Sequence, residues 1–377
     1  MLSRRKLLLG GAGLLGAGLV GELTGPAGQR TSGLMRRAHA AEAMRPDQII
    51  RASSNENPYG PSRLALKAIA DGLEDANKYG GITDEMLSLM ARLGDIPEDH
   101  IAIGSGSGEL LRVGGLLGSL EGGSVVCPDP TFGGLIRYVE AMGSELIRVP
   151  VDAELKTDLD AMYAAIRPDT KMVYLCNPNN PIPNIIGKDA LHDFVLEVSR
   201  ERLVFVDEAY HEFVDDPDYE SMLSLIREGH NNIIVSRTAS KIHGLAGLRV
   251  GFAYAHPELI TEINNKMTGQ LNILGMHAAY ASYQDADFQE YTLRKNRESL
   301  AIINDMCDEI GARYVPSRAN FTFIETGHDI AEVSERMLEA GIMIGRPFPP
   351  YRDWARISMQ TPEEMRYVAQ VYRSLYG

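Results

Sequence analysis

Residues 237–249 read Arg237-Thr238-Ala239-Ser240-Lys241-Ile242-His243-Gly244-Leu245-Ala246-Gly247-Leu248-Arg249. Lys241 follows a hydroxyl and precedes a glycine-rich apolar run that ends in arginine. A lysine amine becomes a nucleophile when it is neutral or held as a Schiff base. Ser240 and Arg249 supply the hydroxyl donor and the cation that a phosphate group needs. Taken alone, the segment also reads as a surface loop with an ordinary lysine. Its companions elsewhere in the chain decide between the two readings.

Three other segments repeat one design, an apolar run entering a polar turn. Leu203-Val204-Phe205-Val206-Asp207-Glu208-Ala209-Tyr210 is an apolar strand ending in a carboxylate, with a tyrosine three residues on. Ligands of open α/β sheets bind beyond the carboxyl ends of the strands. An aspartate pointing there can hold a protonated pyridinium nitrogen, the electronic control that a pyridoxal ring requires; a helix N-cap is the plainer alternative. Tyr174-Leu175-Cys176-Asn177-Pro178-Asn179-Asn180-Pro181 runs into an Asn/Pro turn whose amide could reach a phenolate oxygen. In Ile103-Gly104-Ser105-Gly106-Ser107-Gly108-Glu109 a strand enters a Gly/Ser loop that opens a helix, which makes a phosphate cradle of backbone N–H groups. Its G-x-G-x-G spacing fits neither the dinucleotide fingerprint nor a Walker loop.

Between Arg63 and about Ser199, helical stretches (62–73, 84–93, 108–120) alternate with short apolar runs at 124–126, 145–149 and 172–176. Further runs follow at 203–206 and 232–235. This pattern predicts crossover units, a mainly parallel sheet and an α/β class. The strands are apolar enough to be covered on both faces. After about Pro257 the texture changes to a long helical region (258–310) and a second strand set (314–315, 321–325, 342–344, 356–359), which predicts a smaller α+β unit. The expected division is 1–40 as a signal, 41–62 as an arm joining the small domain, 63–257 as the large domain and 258–377 as the small one.

The chain has 377 residues, a net charge of −14, 44% apolar residues and three cysteines. That length suits one large or two ordinary domains, and the acidic balance argues against a surface that coats nucleic acid. Cys127, Cys176 and Cys307 cannot build a disulfide framework, and nine histidines without ligand spacing predict no metal. The average charge hides a basic start. Ser3-Arg4-Arg5-Lys6 precedes an uncharged apolar run from Leu7 to Val20, too short to span a bilayer as a helix. With Ala38-His39-Ala40 as a small-residue cleavage site, this reads as a secretory signal of the twin-arginine kind, and an uncleaved membrane anchor is the alternative. Export to the periplasm is therefore expected.

The ordered motifs together resemble class I/II pyridoxal-phosphate aminotransferases of fold type I, from about Ile50 to the C-terminus. Asn55-Glu56-Asn57-Pro58-Tyr59-Gly60-Pro61-Ser62 is similar to the N-terminal signature of the histidinol-phosphate aminotransferase branch. The resemblance implies a large cofactor domain with a smaller α+β domain, and pyridoxal 5′-phosphate on Lys241. It implies that Asp207 pairs with the pyridine nitrogen and that Tyr210 and Asn180 contact the phenolic oxygen. Phe132 would stack on the ring, and Ser107, Gly108, Ser240 and Arg249 would hold the phosphate. Tyr79 would reach the cofactor of a second subunit, implying a homodimer with shared sites. Arg356 would grip a substrate carboxylate, with Asn57 and Arg346 near the substrate. The implied reaction moves an amino group between an L-amino acid, or a histidinol-phosphate or aromatic type of amine, and a 2-oxo acid. A decarboxylase or lyase of the threonine-phosphate decarboxylase type shares these motifs and is the rival. This sequence departs from the family pattern at Ile182-Pro183, Gly80, Ala239 and Gln360, positions that bear on the pocket rather than on the catalytic groups.

Overall fold

The computed structural model describes residues 48–377; the expected signal and cleavage site lie outside them. A seven-stranded sheet organises the larger part. Its strands are β1 (Ile101–Gly104), β2 (Ser124–Asp129), β3 (Glu145–Pro150), β4 (Thr170–Cys176), β5 (Leu203–Asp207), β6 (Ile233–Thr238) and β7 (Gly251–Tyr254), in the order β1-β7-β6-β5-β4-β2-β3. Only β7 runs against the rest, pairing antiparallel with both β1 and β6. The mainly parallel sheet read from the sequence is therefore present. β7 escaped that reading because four residues starting at a glycine look like the tail of the lysine loop.

Successive side chains of a strand face opposite ways, and here each face has its own core. On β4, Val173 and Leu175 point to one core, while Met172, Tyr174 and Cys176 point to the other. The first core packs under α1 (Arg63–Asp71), α2 (Thr83–Gly94), α6 (Lys188–Val198), α7 (Leu223–Arg227) and α9 (Ile273–Ser282). The second packs under α3 (Ser107–Leu117), α4 (Gly133–Ala141) and α8 (Pro257–Lys266). The short α5 (Leu159–Ala164) crosses from β3 to β4. Coverage of both faces holds for the central strands but fails at β3, whose residues are mostly exposed or half-buried. This edge carries charge instead. Glu145 accepts from Arg167 at 3.0 Å, and Arg148 donates to Glu140 at 2.8 Å, which discourages pairing with another strand.

Two expectations need correction beyond Pro257. Helices α8 and α9 add Ile260, Ile263, Met276 and Ala279 to the cores of the large sheet. The change of packing partner thus comes after Ser282, and α9, apolar on almost every side, is a helix buried in a large core. The segment 342–344 is not a strand. Ile342 makes a single bridge to Ile50, with Ile50 N–H donating to Gly341 O at 2.9 Å and Met343 N–H to Ile50 O at 2.9 Å.

The remaining elements form a third core. The long α10 (Ala286–Ile310), α11 (Ile330–Glu339) and α12 (Pro362–Tyr376) pack on an antiparallel sheet, β10-β9-β8, built from β8 (Tyr314–Val315), β9 (Phe321–Glu325) and β10 (Trp354–Ser358). Ile50 and Ala52 of the arm are buried in this core. A capping box at Thr361 and Glu364 fixes the start of α12.

Candidate active site

The carboxyl ends of β1, β2, β4, β5 and β6 open on one cavity of about 870 Å³. Asp207 is the last residue of β5 and is 1% exposed. Ser236 Oγ donates to its Oδ1 at 2.9 Å. Burial pushes its carboxyl up to about 6, against the favourable pull of that hydroxyl and of Lys241. A buried carboxylate held so poorly stabilises a cationic N–H placed beside it.

Lys241 sits three residues past β6, half-buried at the cavity wall. Its Nζ donates to Asn55 O at 3.2 Å and lies 5.6 Å from the centre of the Tyr210 ring. Burial and the Arg356 guanidinium bring the amine down to about 8, so its neutral fraction near neutral pH far exceeds that of an ordinary lysine. That is the condition for a lysine nucleophile.

Tyr210 O–H accepts from Asn55 Nδ2 at 2.9 Å and from Asn180 Nδ2 at 3.0 Å. Both contacts fill lone pairs, so its proton is free to donate to an oxygen in the cavity. Burial holds the phenol protonated, well above its ordinary value. Asn180 Oδ1 in turn accepts from Arg356 Nη1 at 2.7 Å, and Arg356 Nη2 donates to Ser53 O. The Arg356 Nε is buried without a partner, and burial lowers the guanidinium to about 10. A buried cation that meets only amide and carbonyl oxygens is arranged for an incoming carboxylate.

The phosphate end is built from backbone. Gly106, at φ +79°, precedes α3 and leaves its first N–H groups facing the cavity at Ser107 and Gly108. A Cβ on Gly106 would stand 2.2 Å from Arg249 Nη2, and one on Gly251 would stand 2.2 Å from Ser107 N. Glycine at both positions lets the loop and the arginine close on one another. Thr238 Oγ1 donates to Ser240 Oγ at 2.9 Å, and Arg249 Nη1 donates to Ala246 O at 2.8 Å. An anion here meets a helix N-terminus, hydroxyls and a guanidinium together.

These features fit pyridoxal phosphate closely: an amine, a carboxylate for a ring N–H, a phenol for a ring oxygen and a cradle for the phosphate. The sequence family described as aminotransferase class I and II matches residues 47–371. The chain belongs to the class I and II aminotransferases. Among curated relatives, the histidinol-phosphate aminotransferase of Moorella thermoacetica is 36% identical over 299 residues, covering 78% of this chain and 77% of that protein. That of Brevibacillus brevis is 34% identical, with 87% and 90% covered. The structure of the Sinorhizobium meliloti histidinol-phosphate aminotransferase in complex with pyridoxal-5′-phosphate is similar at a TM-score of 0.80 and 28% identity, covering 89% of this chain and 94% of that one. The fold of this aminotransferase is thus fold type I, and its cofactor is pyridoxal 5′-phosphate.

In the aminotransferase, Lys241, Asp207, Tyr210, Asn180, Ser107, Gly108, Ser240, Arg249, Phe132, Arg346 and Arg356 all line the one cavity. Asn57 does not. Its Nδ2 donates to Ile242 O at 2.7 Å and its Oδ1 accepts from Tyr59 N–H at 3.0 Å, so it buttresses the loop beside Lys241. Asn55 takes the place expected of it, because a backbone φ of +53° turns that residue inward. Both asparagines belong to the same quoted motif, but spacing alone could not rank them. Tyr79 is 93% exposed and outside the cavity lining. Ile182, one of the departures that bear on the pocket, is fully buried in a cluster with Phe348 and Trp354, and of these Phe348 lines the cavity. The sequence reading also missed Ser53, whose carbonyl oxygen serves Arg356, and Thr131. Thr131 Oγ1 donates to Asn179 Oδ1 at 2.8 Å and thereby braces the turn that carries Phe132.

Proposed function

We propose that this aminotransferase moves an amino group between an L-amino acid, or an amine of the histidinol-phosphate or aromatic type, and a 2-oxo acid such as 2-oxoglutarate. The juxtaposition of Lys241, whose amine is brought down to about 8, with the buried Asp207 in one cavity supports it best. Pyridoxal phosphate, when bound, supplies the electron sink for the substrate carbanion. With the cofactor bound, Lys241 Nζ would be the base that takes the proton from the substrate Cα and holds it for redelivery. Asp207 keeps the ring nitrogen protonated. Tyr210 donates its hydroxyl to the ring oxygen, and Asn180 and Asn55 hold that hydroxyl in place. Arg356 receives the substrate carboxylate and so fixes which Cα bond stands against the ring.

Incubating the purified protein with amino donors and 2-oxoglutarate tests this. A new 2-oxo acid together with glutamate is expected. Release of CO2 without amino transfer would favour the decarboxylase alternative.

The proposal extends to assembly and location. Tyr79 is fully exposed, as suits a side chain that reaches the cofactor phosphate of a second subunit in a homodimer with shared sites. A fully active monomer in sedimentation would refute this. Residues 1–40 carry the arginine pair and the cleavage site, which supports export by the twin-arginine machinery and a periplasmic mature protein. Replacing Arg4 and Arg5 by lysine should keep the protein in the cytoplasm; export undiminished by the change would refute it.

A further inference from the structure

Two halves make the cradle for the cofactor phosphate: the N-terminus of α3 at Ser107 and Gly108, and the guanidinium of Arg249. They come from distant parts of the chain. The backbone of Arg249 sits at a left-handed φ of +58°, where a residue with a side chain is strained. Such a conformation persists only where neighbouring structure enforces it. Each half therefore needs a support outside the cavity.

The segment that follows α8 and opens α9 supports both halves, although none of residues 268–275 lines the cavity. Glu109, in the first turn of α3, is buried and also outside the cavity lining. One of its carboxylate oxygens accepts from Ser105 N–H at 2.7 Å. The other accepts from Thr268 N–H at 3.0 Å and from Gly269 N–H. Ser105 Oγ donates to Gln270 O at 2.7 Å, so two side chains tie this loop to the start of the helix. The approach requires glycine at position 269, because a Cβ there would stand 2.7 Å from each Glu109 oxygen. On the arginine side, Asn272 Nδ2 donates to Leu248 O at 3.2 Å, while its Oδ1 caps α9 by accepting from Gly275 N–H at 3.2 Å. A Cβ on Gly275 would stand 2.5 Å from the same Leu248 oxygen. Leu248 immediately precedes Arg249, so these contacts pin the peptide that enters the left-handed residue. Hydrogen bonds to a carboxylate are about twice as strong as neutral ones. A glutamine at position 109 would turn an amide N–H toward a backbone donor and lose part of the tie.

We propose that Glu109 is a positioning residue for the cofactor phosphate. With Asn272 it clamps the 268–272 loop behind the cradle, and so holds the α3 N–H groups and Arg249 at the separation a phosphate needs. The role concerns retention of the cofactor and is independent of which amine is the substrate.

The test compares pyridoxal phosphate with pyridoxal, which carries the same aldehyde and ring but no phosphate. Binding of each to the cofactor-stripped full chain is followed by absorbance. In Glu109→Gln the Kd for pyridoxal phosphate should rise about 10- to 100-fold, the range of hydrogen bonds to a charged group, while that for pyridoxal changes by less than about twofold. Ser105→Ala removes a single tie and should weaken pyridoxal phosphate about 3- to 10-fold, again without effect on pyridoxal. Circular dichroism checks the fold of both variants, and Ser105→Ala carries the test if Glu109→Gln does not fold. Three results would overturn the assignment. Equal weakening of the two ligands would make Glu109 a general support of the fold. Unchanged affinity for pyridoxal phosphate in both variants would leave it no role at the phosphate. Tighter binding of pyridoxal phosphate in Glu109→Gln would mean that the carboxylate acts on the phosphate as a like charge and not as a brace.

Discussion

Asp207→Asn in the cofactor-free protein should stabilise the fold while disabling the enzyme. The folded carboxyl gives up its proton near pH 6, against an ordinary value of 3.8, because burial disfavours the anion. Between those values the folded state binds more protons than the unfolded state, so stability falls as pH rises through the window. Above about pH 6 the full loss is present. It amounts to about 3 kcal/mol, from roughly two pKa units at about 1.4 kcal/mol each, and to about 2 kcal/mol at pH 5. Asparagine keeps an acceptor for Ser236 Oγ and carries no charge, so the mutant should gain roughly these amounts over wild type. Urea unfolding of both apoproteins at pH 5 and pH 8 measures the difference. The chain's single tryptophan, Trp354, lies in β10 and gives the fluorescence signal, with circular dichroism as a check on two-state behaviour. Addition of cofactor should reverse the order, because only the carboxylate gains a partner from a protonated ring nitrogen. A stability difference that does not change with pH, or a mutant weaker than wild type at pH 8, would refute the reasoning.

Further expectations concern the other groups. Lys241→Ala should abolish covalent cofactor attachment and the associated absorbance, and turnover with it; a mutant transaminating at the wild-type rate would contradict the assigned role. In wild-type apoprotein the rate of attachment should rise with pH to a half-maximum near 8, because a lowered amine pKa leaves the neutral form dominant above that value. Stopped-flow absorbance would show a midpoint near 10 if the lysine were unperturbed. Asn180→Ala strips Arg356 of an acceptor and Tyr210 of a donor, and should lower kcat/KM by about 10- to 100-fold. Gly106→Ala places a methyl against Arg249 at a positive φ, and should weaken cofactor binding in a fluorescence titration by about 10-fold or more.

The chemistry of the site was legible because local patterns carry it. Asp207, Asn180, Ser107 and Lys241 each follow an apolar run, and a parallel sheet gathers such strand ends on one edge. What stayed hidden depends on distant contacts or on a single backbone angle. Asn55 and Asn57 are equivalent in spacing, and only the left-handed φ at Asn55 turns its amide toward Tyr210. The carbonyl of Ser53 has no signature at all. Helix α9 looked like part of the small lobe because an all-round apolar segment does not reveal which core it fills. The segment 342–344 is as apolar as a strand, yet it finds only the arm to pair with.

The arm from Ile50 to Asn57 has a consequence for the timing of assembly. Asn55 N–H donates to Ser358 Oγ at 2.8 Å, its side chain holds Tyr210, and its carbonyl holds Lys241. The nearest of these partners is 155 residues away and the farthest 303. During synthesis the arm emerges first and β10 almost last, so no nascent fragment can present a finished pocket. Strand-by-strand growth of the large sheet builds the phosphate cradle early, while the carboxylate grip waits for the end of the chain. A single cut in the arm, leaving both lobes intact, would therefore separate cofactor binding from turnover.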